Sequence, residues 1–243
     1  MSAVVIIPAR YASVRLPGKP LLAQTGLPLI VHVVRAVEGA KNIARVVVAT
    51  DDERIAHAVR DAGSEAVMTR ADHTCGTDRL AEAADLLHLR DDDIVVNVQG
   101  DEPDMPPSLV EELVSLLETS GCPMATLCTP MRPEEAGDPN KVKVVFSAAG
   151  RALYFSRAAV PFQRDPAGPP AEYHLHIGIY AYRVAFLKTF SRLPATPLER
   201  VEKLEQLRAL ENDYPIAVKV VDYTGSGIDT PEDYAAFVNR RKV

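Results

Sequence analysis

The chain has 243 residues, of which 47 % are hydrophobic and 25 % charged, and its formal net charge is −6. This composition is typical of a soluble globular protein, and the acidic balance argues against general affinity for nucleic acid or anionic lipid. The three cysteines form no C-x-x-C pair, which indicates a reducing compartment rather than a disulfide framework. The sequence has no secretory pattern and no apolar run of membrane-spanning length, so we expect a cytoplasmic protein that does not insert into membranes.

Short apolar runs alternate with amphipathic stretches in the first half of the chain. Residues 4–7, 45–50 and 93–98 are predicted to be buried strands, and residues 30–38, 51–63 and 106–121 have the spacing of helices. Strands that alternate with helices indicate parallel βαβ units. The sequence therefore predicts an α/β sheet covered by helices on both faces.

The second half is richer in strand-like segments, which could form a small mixed β insertion on the same sheet or a lobe of its own. We predict one domain over residues 1–243, with a small subdomain within about 140–190. The predicted strands are 141–146, 152–157, 176–183 and 216–221, and the predicted helices are 197–210 and 231–241.

A cationic loop follows the first strand. Residues 7–20, "IPARYASVRLPGKP", carry Arg10, Arg15 and Lys19. Ligands of open α/β sheets bind beyond the carboxyl ends of the strands, so these cations are candidates for binding phosphate. Pro20 replaces the Ser or Thr of a P-loop, and no G-x-G-x-x-G follows the strand, which argues against a dinucleotide-dependent oxidoreductase. The alternative is a solvated loop whose cations pair with surface carboxylates.

Two aspartates far apart in the sequence are candidate metal ligands. Asp101 follows the third predicted strand, and Asp229 lies near the C-terminus. Magnesium prefers hard oxygen ligands, usually one or two carboxylates with water and phosphate. The alternatives are a turn residue at Asp101 and a helix N-cap at Asp229.

Three further segments carry polar residues whose role the spacing leaves open. Thr77 and Asp78 precede a predicted helix, where they could contact a base or sugar or could simply cap the helix. His174 and His176 share one face of a strand, and the missing Cys or carboxylate partner favours a sugar contact or a structural role over zinc. On the predicted helix 198–210, Glu202 and Gln206 would share one face, which a solvated polar surface explains equally well.

Together these segments resemble the 3-deoxy-manno-octulosonate (Kdo) cytidylyltransferases. The resemblance runs in order through nearly the whole chain, which makes it far more specific than any one motif. The segments that carry it are "IPARYASVRLPGKPL", "ATDDERI", "HTCGTDRLAE", "NVQGDEP", "VKVVF", "ALYFSRAAVP", "HIGIYAYR", "LERVEKLEQLRAL" and "GIDTPEDY".

The resemblance implies a nucleotide-diphospho-sugar-transferase-like fold, with a mixed, mostly parallel sheet flanked by helices and a small β region for homodimerisation. It also implies transfer of CMP from CTP to the anomeric 2-hydroxyl of Kdo, with Mg²⁺ as cofactor. The products would be pyrophosphate and CMP-Kdo for lipopolysaccharide biosynthesis.

The resemblance assigns roles to three groups of residues, and within them Arg15, Lys19, Asp101 and Asp229 would be catalytic. The nucleotide-binding group is Ala9, Arg10, Arg15, Lys19, Thr77, Asp78 and Asp101; the metal-binding group is Asp101 and Asp229; the sugar-binding group is Gln99, Arg157, His176, Tyr180, Glu202 and Gln206.

The sequence departs from the family pattern at three positions. Cys75 stands where Ser is usual, Asp104 where an apolar residue is common, and Ser147 where Asp often occurs. These changes remove no phosphate-binding cation and no metal carboxylate. The alternatives that stay open are a cytidylyltransferase for 8-amino-Kdo or sialate, and a nucleotide-sensing protein without catalysis.

Overall fold

A computed structural model of the chain describes residues 3–12, 16–73, 75–165, 167–225 and 227–241. None of the helices in these ranges is both long and apolar enough to cross a lipid bilayer. The strands are β1 (Ala3–Ala9), β2 (Arg45–Thr50), β3 (Glu65–Met68), β4 (Ile94–Asn97), β5 (Met124–Met131), β6 (Lys143–Phe146), β7 (Ala152–Ser156), β8 (Tyr173–Arg183) and β9 (Ile216–Val220). The helices are α1 (Leu29–Val37), α2 (Glu53–Asp61), α3 (Gly76–Leu86), α4 (Pro107–Ser120), α5 (Val184–Phe190), α6 (Pro197–Glu202), α7 (Leu207–Glu211) and α8 (Pro231–Arg241).

The main sheet has the strand order β3-β2-β1-β4-β8-β5-β9. The first four of these strands are parallel, β8 runs antiparallel between β4 and β5, and β9 is parallel to β5. Because β8 alone is reversed along this path, β1, β4, β5 and β9 all end at one edge. The predicted α/β class is confirmed.

The core lies on both faces of the sheet. Along β1, Val5 and Ile7 pack on the side of α1 and α4, whereas Val4 and Ile6 pack on the side of α3 and α5. All four side chains are at most 1 % exposed. Burial on both faces explains why the first strand reads as a continuous apolar run.

Strands β6 and β7 form an antiparallel pair beside β8, joined to it through Lys143 and Leu175. The Lys143 side chain is buried, and its ammonium donates to the main-chain oxygens of residues 138, 141 and 157 at 2.9, 2.6 and 2.6 Å. This pair falls within the predicted 140–190 region. That region's standing as a subdomain of a single domain stays a prediction.

A third apolar cluster fixes the C-terminal segment. Ile228 is 2 % exposed and packs with Leu16, Leu29 and Phe237. The main-chain N–H of Gln24 donates to the Tyr234 hydroxyl at 3.0 Å. Helix α8 therefore holds the segment that precedes it beside the loop that follows β1.

Three elements are not predicted by the sequence patterns: β3, β5 and α5. Strand β3 has four residues and is only partly buried. Strand β5 carries Thr126, which is fully buried because its hydroxyl donates to the Ile179 carbonyl oxygen at 2.8 Å. Helix α5 begins directly after β8, with Arg183 at its N-cap and no glycine or proline at the boundary.

The predicted helix 197–210 is wrong as one element, because it is divided into α6 and α7. Lys203 ends α6 in the left-handed region, at φ 55° and ψ 46°. The Arg157 side chain donates hydrogen bonds to the carbonyl oxygens of Glu202 and Lys203, at 2.7 and 3.4 Å, and these bonds stabilise the break. Glu202 and Gln206 therefore do not share one helical face.

Candidate active site

The carboxyl ends of β1 and β4 lie side by side and open into a cavity of about 210 Å³. Gly100 follows β4, and a Cβ there would lie 3.0 Å from the Pro8 carbonyl oxygen, so glycine permits this close approach. Five predicted site residues line the cavity: Ala9, Arg10, Lys19, Gln99 and Asp101.

The Lys19 ammonium lies between the two predicted metal-binding carboxylates. Its Nζ is 2.7 Å from Asp101 Oδ2 and 3.3 Å from Asp229 Oδ1, and it donates to the Ile228 carbonyl oxygen at 2.8 Å. Asp101 and Asp229 are 82 and 210 residues away from Lys19 in the sequence. The structure thus brings together three of the four predicted catalytic residues.

Asp229 does not act as the N-cap of α8. Thr230 holds that place, since its hydroxyl accepts from the Asp233 N–H at 3.2 Å and the Asp233 carboxylate accepts from the Thr230 N–H at 2.9 Å. The Asp229 side chain is therefore directed to Lys19 instead of the helix end.

Arg15, the fourth predicted catalytic residue, lies outside the described residues. Its place on the nucleotide stays a prediction. Arg10 is partly exposed and lines the cavity. Fully buried Arg79 lies near it and pairs with Asp51 at 3.4 Å.

The start of α3 packs against β1, where a Cβ on Gly76 would lie 3.6 Å from the Pro8 ring. Thr77 is 2 % exposed, and its hydroxyl donates to Glu205 Oε2 at 2.6 Å. Asp78 lines a separate cavity of about 450 Å³ on the outer side of α3. The structure therefore does not place Asp78 in the cavity that holds Lys19.

Arg157 and Glu202, both predicted to face the sugar, are hydrogen-bonded to each other. Glu202 accepts from the Ser156 hydroxyl at 2.7 Å and from the Arg157 N–H at 2.9 Å. The Arg157 guanidinium donates to the carbonyl oxygens of Glu202, Pro139 and Lys203 at 2.7, 2.8 and 3.4 Å. These contacts fix the end of β7 against the break between α6 and α7.

The remaining sugar-side residues are His176 and Tyr180 on β8, Gln206 at the start of α7, and Gln99 after β4. His176 and Tyr180 have their ring centroids 5.3 Å apart, and the Gln99 side chain approaches β8 at Gly178. Gln206 is 6 % exposed and precedes the first residue of α7. Whether these four side chains contact a sugar stays a prediction.

The protonation state of His176 is set by its surroundings. Its Nε2 is 3.1 Å from the Thr126 hydroxyl, and burial lowers the His176 pKa to about 3. Thr126 gives its one hydrogen to the Ile179 carbonyl oxygen at 2.8 Å, so it accepts from His176 and places the imidazole proton on Nε2.

This lowered pKa predicts a pH dependence of stability. The unfolded chain protonates His176 near pH 6.5 while the folded chain does not, so acidification favours unfolding. Between about pH 7.5 and about pH 5.5, His176→Asn should lose roughly 1 kcal/mol less unfolding free energy than the unchanged protein. Urea denaturation at both pH values measures this, with exposed His57→Asn as control. Equal losses in all three proteins would contradict the prediction.

A partly buried carboxyl, that of Glu102, directly follows Asp101. Glu102 Oε2 accepts from the Tyr223 hydroxyl at 2.9 Å. Burial raises the pKa of Glu102 to about 7; the Tyr223 hydrogen bond opposes this rise, and the charges of Asp101 and Asp229 add to it. The sequence patterns assign no role to either residue.

Comparison with known proteins decides the family. A family model described as cytidylyltransferase matches residues 4–219. A protein of Syntrophobacter fumaroxidans named 3-deoxy-manno-octulosonate cytidylyltransferase is 53 % identical over 240 residues, covering 98 % of this chain and 96 % of the relative. The chain belongs to the cytidylyltransferase family. A Syntrophotalea carbinolica protein of the same name is 52 % identical over 242 residues, covering 96 % of each chain.

Solved cytidylyltransferase structures share the fold. A structure named CMP:2-keto-3-deoxy-manno-octonic acid synthetase, complexed with CTP, has a TM-score of 0.93 at 43 % identity and covers 100 % of this chain and 99 % of its own. A cytidylyltransferase of Leptospira borgpetersenii has a TM-score of 0.65 at 19 % identity, covering 98 % and 85 %, and shares the fold alone. The resemblance predicted from the sequence is confirmed.

Two departures from the family pattern have structural roles. Cys75 is the N-cap of α3, where its Sγ accepts from the Asp78 N–H at 3.4 Å in place of the usual Ser hydroxyl. Asp104 pairs with Arg241 and Arg240 of α8 at 2.7 and 2.9 Å. Both residues therefore fix elements that border the site.

Sequence patterns missed Glu102, Glu205 and Tyr223 at this site. Glu102 stands beside Asp101, and that proximity is the one pattern that could have singled it out. Glu205 and Tyr223 meet their partners Thr77 and Glu102 across 128 and 121 residues, a separation that local spacing does not report.

Proposed function

We propose that this cytidylyltransferase transfers CMP from CTP to the anomeric 2-hydroxyl of Kdo, for use in lipopolysaccharide biosynthesis. The observation that carries the proposal is the convergence of Lys19, Asp101 and Asp229 at the carboxyl edge of the sheet. Relatives and a CTP-bound structure that bear this activity in their names support the choice of substrates.

In the proposed reaction, the 2-hydroxyl oxygen of the sugar attacks the α-phosphorus of CTP. The new O–P bond forms as the bond to the β-phosphate oxygen breaks, pyrophosphate leaves, and the hydroxyl proton passes to solvent. Such transfers depend mainly on positioning and charge neutralisation. Arg10 and Lys19, and by the family resemblance Arg15, supply the positive charge.

Lys19 has to exchange partners during nucleotide binding. An ammonium has three N–H donors, and three protein oxygens, from Asp101, Asp229 and Ile228, already surround that of Lys19. A hydrogen bond to phosphate therefore requires Lys19 to release at least one of them. The released oxygen becomes accessible to another cation.

The same oxygens fit magnesium. Asp101 and Asp229 present two carboxylates that converge on one positively charged group, and magnesium is commonly held by one or two carboxylates together with phosphate and water. We propose that these two residues hold Mg²⁺. When bound, the cation would neutralise phosphate charge and lower the pKa of the attacking hydroxyl.

Pyrophosphate release from the purified protein tests the proposed function. Release should require CTP, Kdo and magnesium together and should stop with EDTA. UTP, sialic acid and 8-amino-Kdo are the comparison substrates. Activity with 8-amino-Kdo alone would keep the reaction but change the substrate, and CTP binding without turnover on any sugar would indicate the nucleotide-sensing protein.

We also propose that the chain forms a homodimer and works in the cytoplasm. Among the described residues, the three most exposed large apolar side chains are Leu153, Val201 and Phe162, at 63, 81 and 83 %. Leu153 lies on β7, Phe162 follows β7, and Val201 belongs to α6. The described cysteines are all free thiols, as a reducing compartment allows.

Replacing both Leu153 and Phe162 with Ser should convert the dimer to a monomer, because burying these exposed apolar side chains against a partner removes apolar surface from water and stabilises the dimer. Light scattering after size exclusion measures the mass, which should halve. Leu86→Ser, an exposed position on α3, is the control and should stay dimeric. A monomeric unchanged protein would contradict the proposed assembly.

A further inference from the structure

The turn after β4 is joined to the segment formed by residues 223–225 and 227–229 through contacts that the predicted site residues do not account for. The Tyr223 hydroxyl donates to Glu102 Oε2 at 2.9 Å, and the Ile228 N–H donates to the Asp101 carbonyl oxygen at 2.9 Å. One contact is made by side chains and the other by the main chain. Together they tie the segment to both residues of the Asp101–Glu102 pair.

Two glycines let this segment fold closely around the link. A Cβ on Gly227 would lie 3.2 Å from Glu102 Oε1, so the main chain rests directly against the carboxyl group. A Cβ on Gly225 would overlap the Tyr223 hydroxyl. The Glu102 carboxyl therefore touches the segment at two points, one on each of its oxygens.

Both ends of the link are held by further main-chain hydrogen bonds. The Glu102 N–H donates to the Gln99 carbonyl oxygen at 3.2 Å, and the Met105 N–H donates to the Glu102 carbonyl oxygen at 3.3 Å. The Tyr223 N–H donates to the hydroxyl of Thr129, on β5, at 3.3 Å. The residues that follow β4 and the end of β5 therefore fix the position of the segment that carries Asp229.

We infer that Glu102 and Tyr223 are positioning residues, whose hydrogen bond holds residues 223–225 and 227–229 so that the Asp229 carboxylate faces Asp101 across Lys19. The inference rests on the proposed function, because Asp101 and Asp229 are its cation-binding carboxylates. Glu102 itself acts through shape and hydrogen bonding, with no contact to substrate.

The first test is Tyr223→Phe, which removes one hydroxyl and keeps the ring. The affinity for Mn²⁺ in the presence of CTP, measured from the EPR signal of free Mn²⁺, should fall about tenfold, as for other groups that orient metal ligands. The melting temperature should fall by no more than about 4 °C. Tyr214→Phe, on the opposite face of the sheet, is the matched control and should leave Mn²⁺ affinity unchanged. Unchanged affinity in Tyr223→Phe would overturn the inference.

The second test separates positioning from direct participation of Glu102. Glu102→Gln keeps the size and an oxygen acceptor for Tyr223, so Mn²⁺ affinity should stay within about threefold of the unchanged protein. Glu102→Ala removes both contacts and should lower the affinity at least about tenfold. If Gln were as damaging as Ala, the carboxylate charge itself would matter, and the positioning role would be wrong.

The Mn²⁺ measurement uses CTP without a sugar, so it does not depend on the sugar substrate. Failure of pyrophosphate release with Kdo would count against the proposed sugar and leave this inference standing. Absence of Mn²⁺ binding by the unchanged protein with CTP would remove the cation site and the inference together.

Discussion

Replacing Lys19 with Met should lower kcat for pyrophosphate release by roughly 10²–10³, the range found when one preorganised donor to a developing negative charge is lost. The Lys19 side chain is only 14 % exposed, so its charge acts with little screening by solvent. It is also the one described side chain that contacts both Asp101 and Asp229.

The loss of Lys19 should also change the response of the folded protein to magnesium. Without the ammonium, Asp101 and Asp229 repel each other, so Lys19→Met should melt at a lower temperature. Added magnesium should raise the melting temperature of the variant more than that of the unchanged protein, because Lys19 no longer competes with the cation for the two carboxylates.

Steady-state kinetics and thermal melts with and without magnesium measure both effects. Lys188→Met is the matched control, since Lys188 pairs with Asp85 and Asp91 at 3.0 and 3.4 Å on the outer surface. A kcat within twofold of the unchanged value would exclude Lys19 from the proposed mechanism.

Asp101→Asn and Asp229→Asn should each raise the magnesium concentration needed for half-maximal activity by about tenfold or more. Changes to groups that only orient a metal ligand already cost about 10–100-fold in metal affinity, and loss of a ligand should cost at least as much. An amide oxygen still coordinates weakly, so activity should partly recover at high magnesium.

Titrations of activity against magnesium at saturating CTP distinguish a ligand from a structural carboxylate. Asp85→Asn removes an exposed carboxylate that also pairs with a lysine, and it should leave the titration unchanged. An unshifted titration for either Asp101→Asn or Asp229→Asn would mean that the residue is not a ligand.

Most of the fold follows from patterns that are local in the sequence. The continuous apolar runs of β1 and β2 and the helical spacing of α1 and α2 predict their elements within a few residues. These patterns work because a strand buried on both faces needs apolar residues throughout, whereas a surface helix needs them at every third or fourth position.

Local patterns fail where a distant partner decides the conformation. The helix predicted over 197–210 breaks at Lys203 because Arg157, 46 residues away, takes a carbonyl oxygen there. Strand β5 is not recognised from the sequence because Thr126 interrupts its apolar pattern. The Thr126 hydroxyl is tolerated in the core because it donates to a carbonyl oxygen of β8.

The sequence by itself determined the α/β class, the family and the cationic loop after β1, because each of them is recognised from residues that are contiguous in the chain. Only the tertiary structure decided that the Lys19 ammonium lies between Asp101 and Asp229, and that Tyr223 meets Glu102. The physical reason is that charge pairing and buried hydrogen bonds act between atoms brought within about 3 Å by packing of the whole sheet. The spacing of these residues along the chain does not indicate that their side chains are in contact.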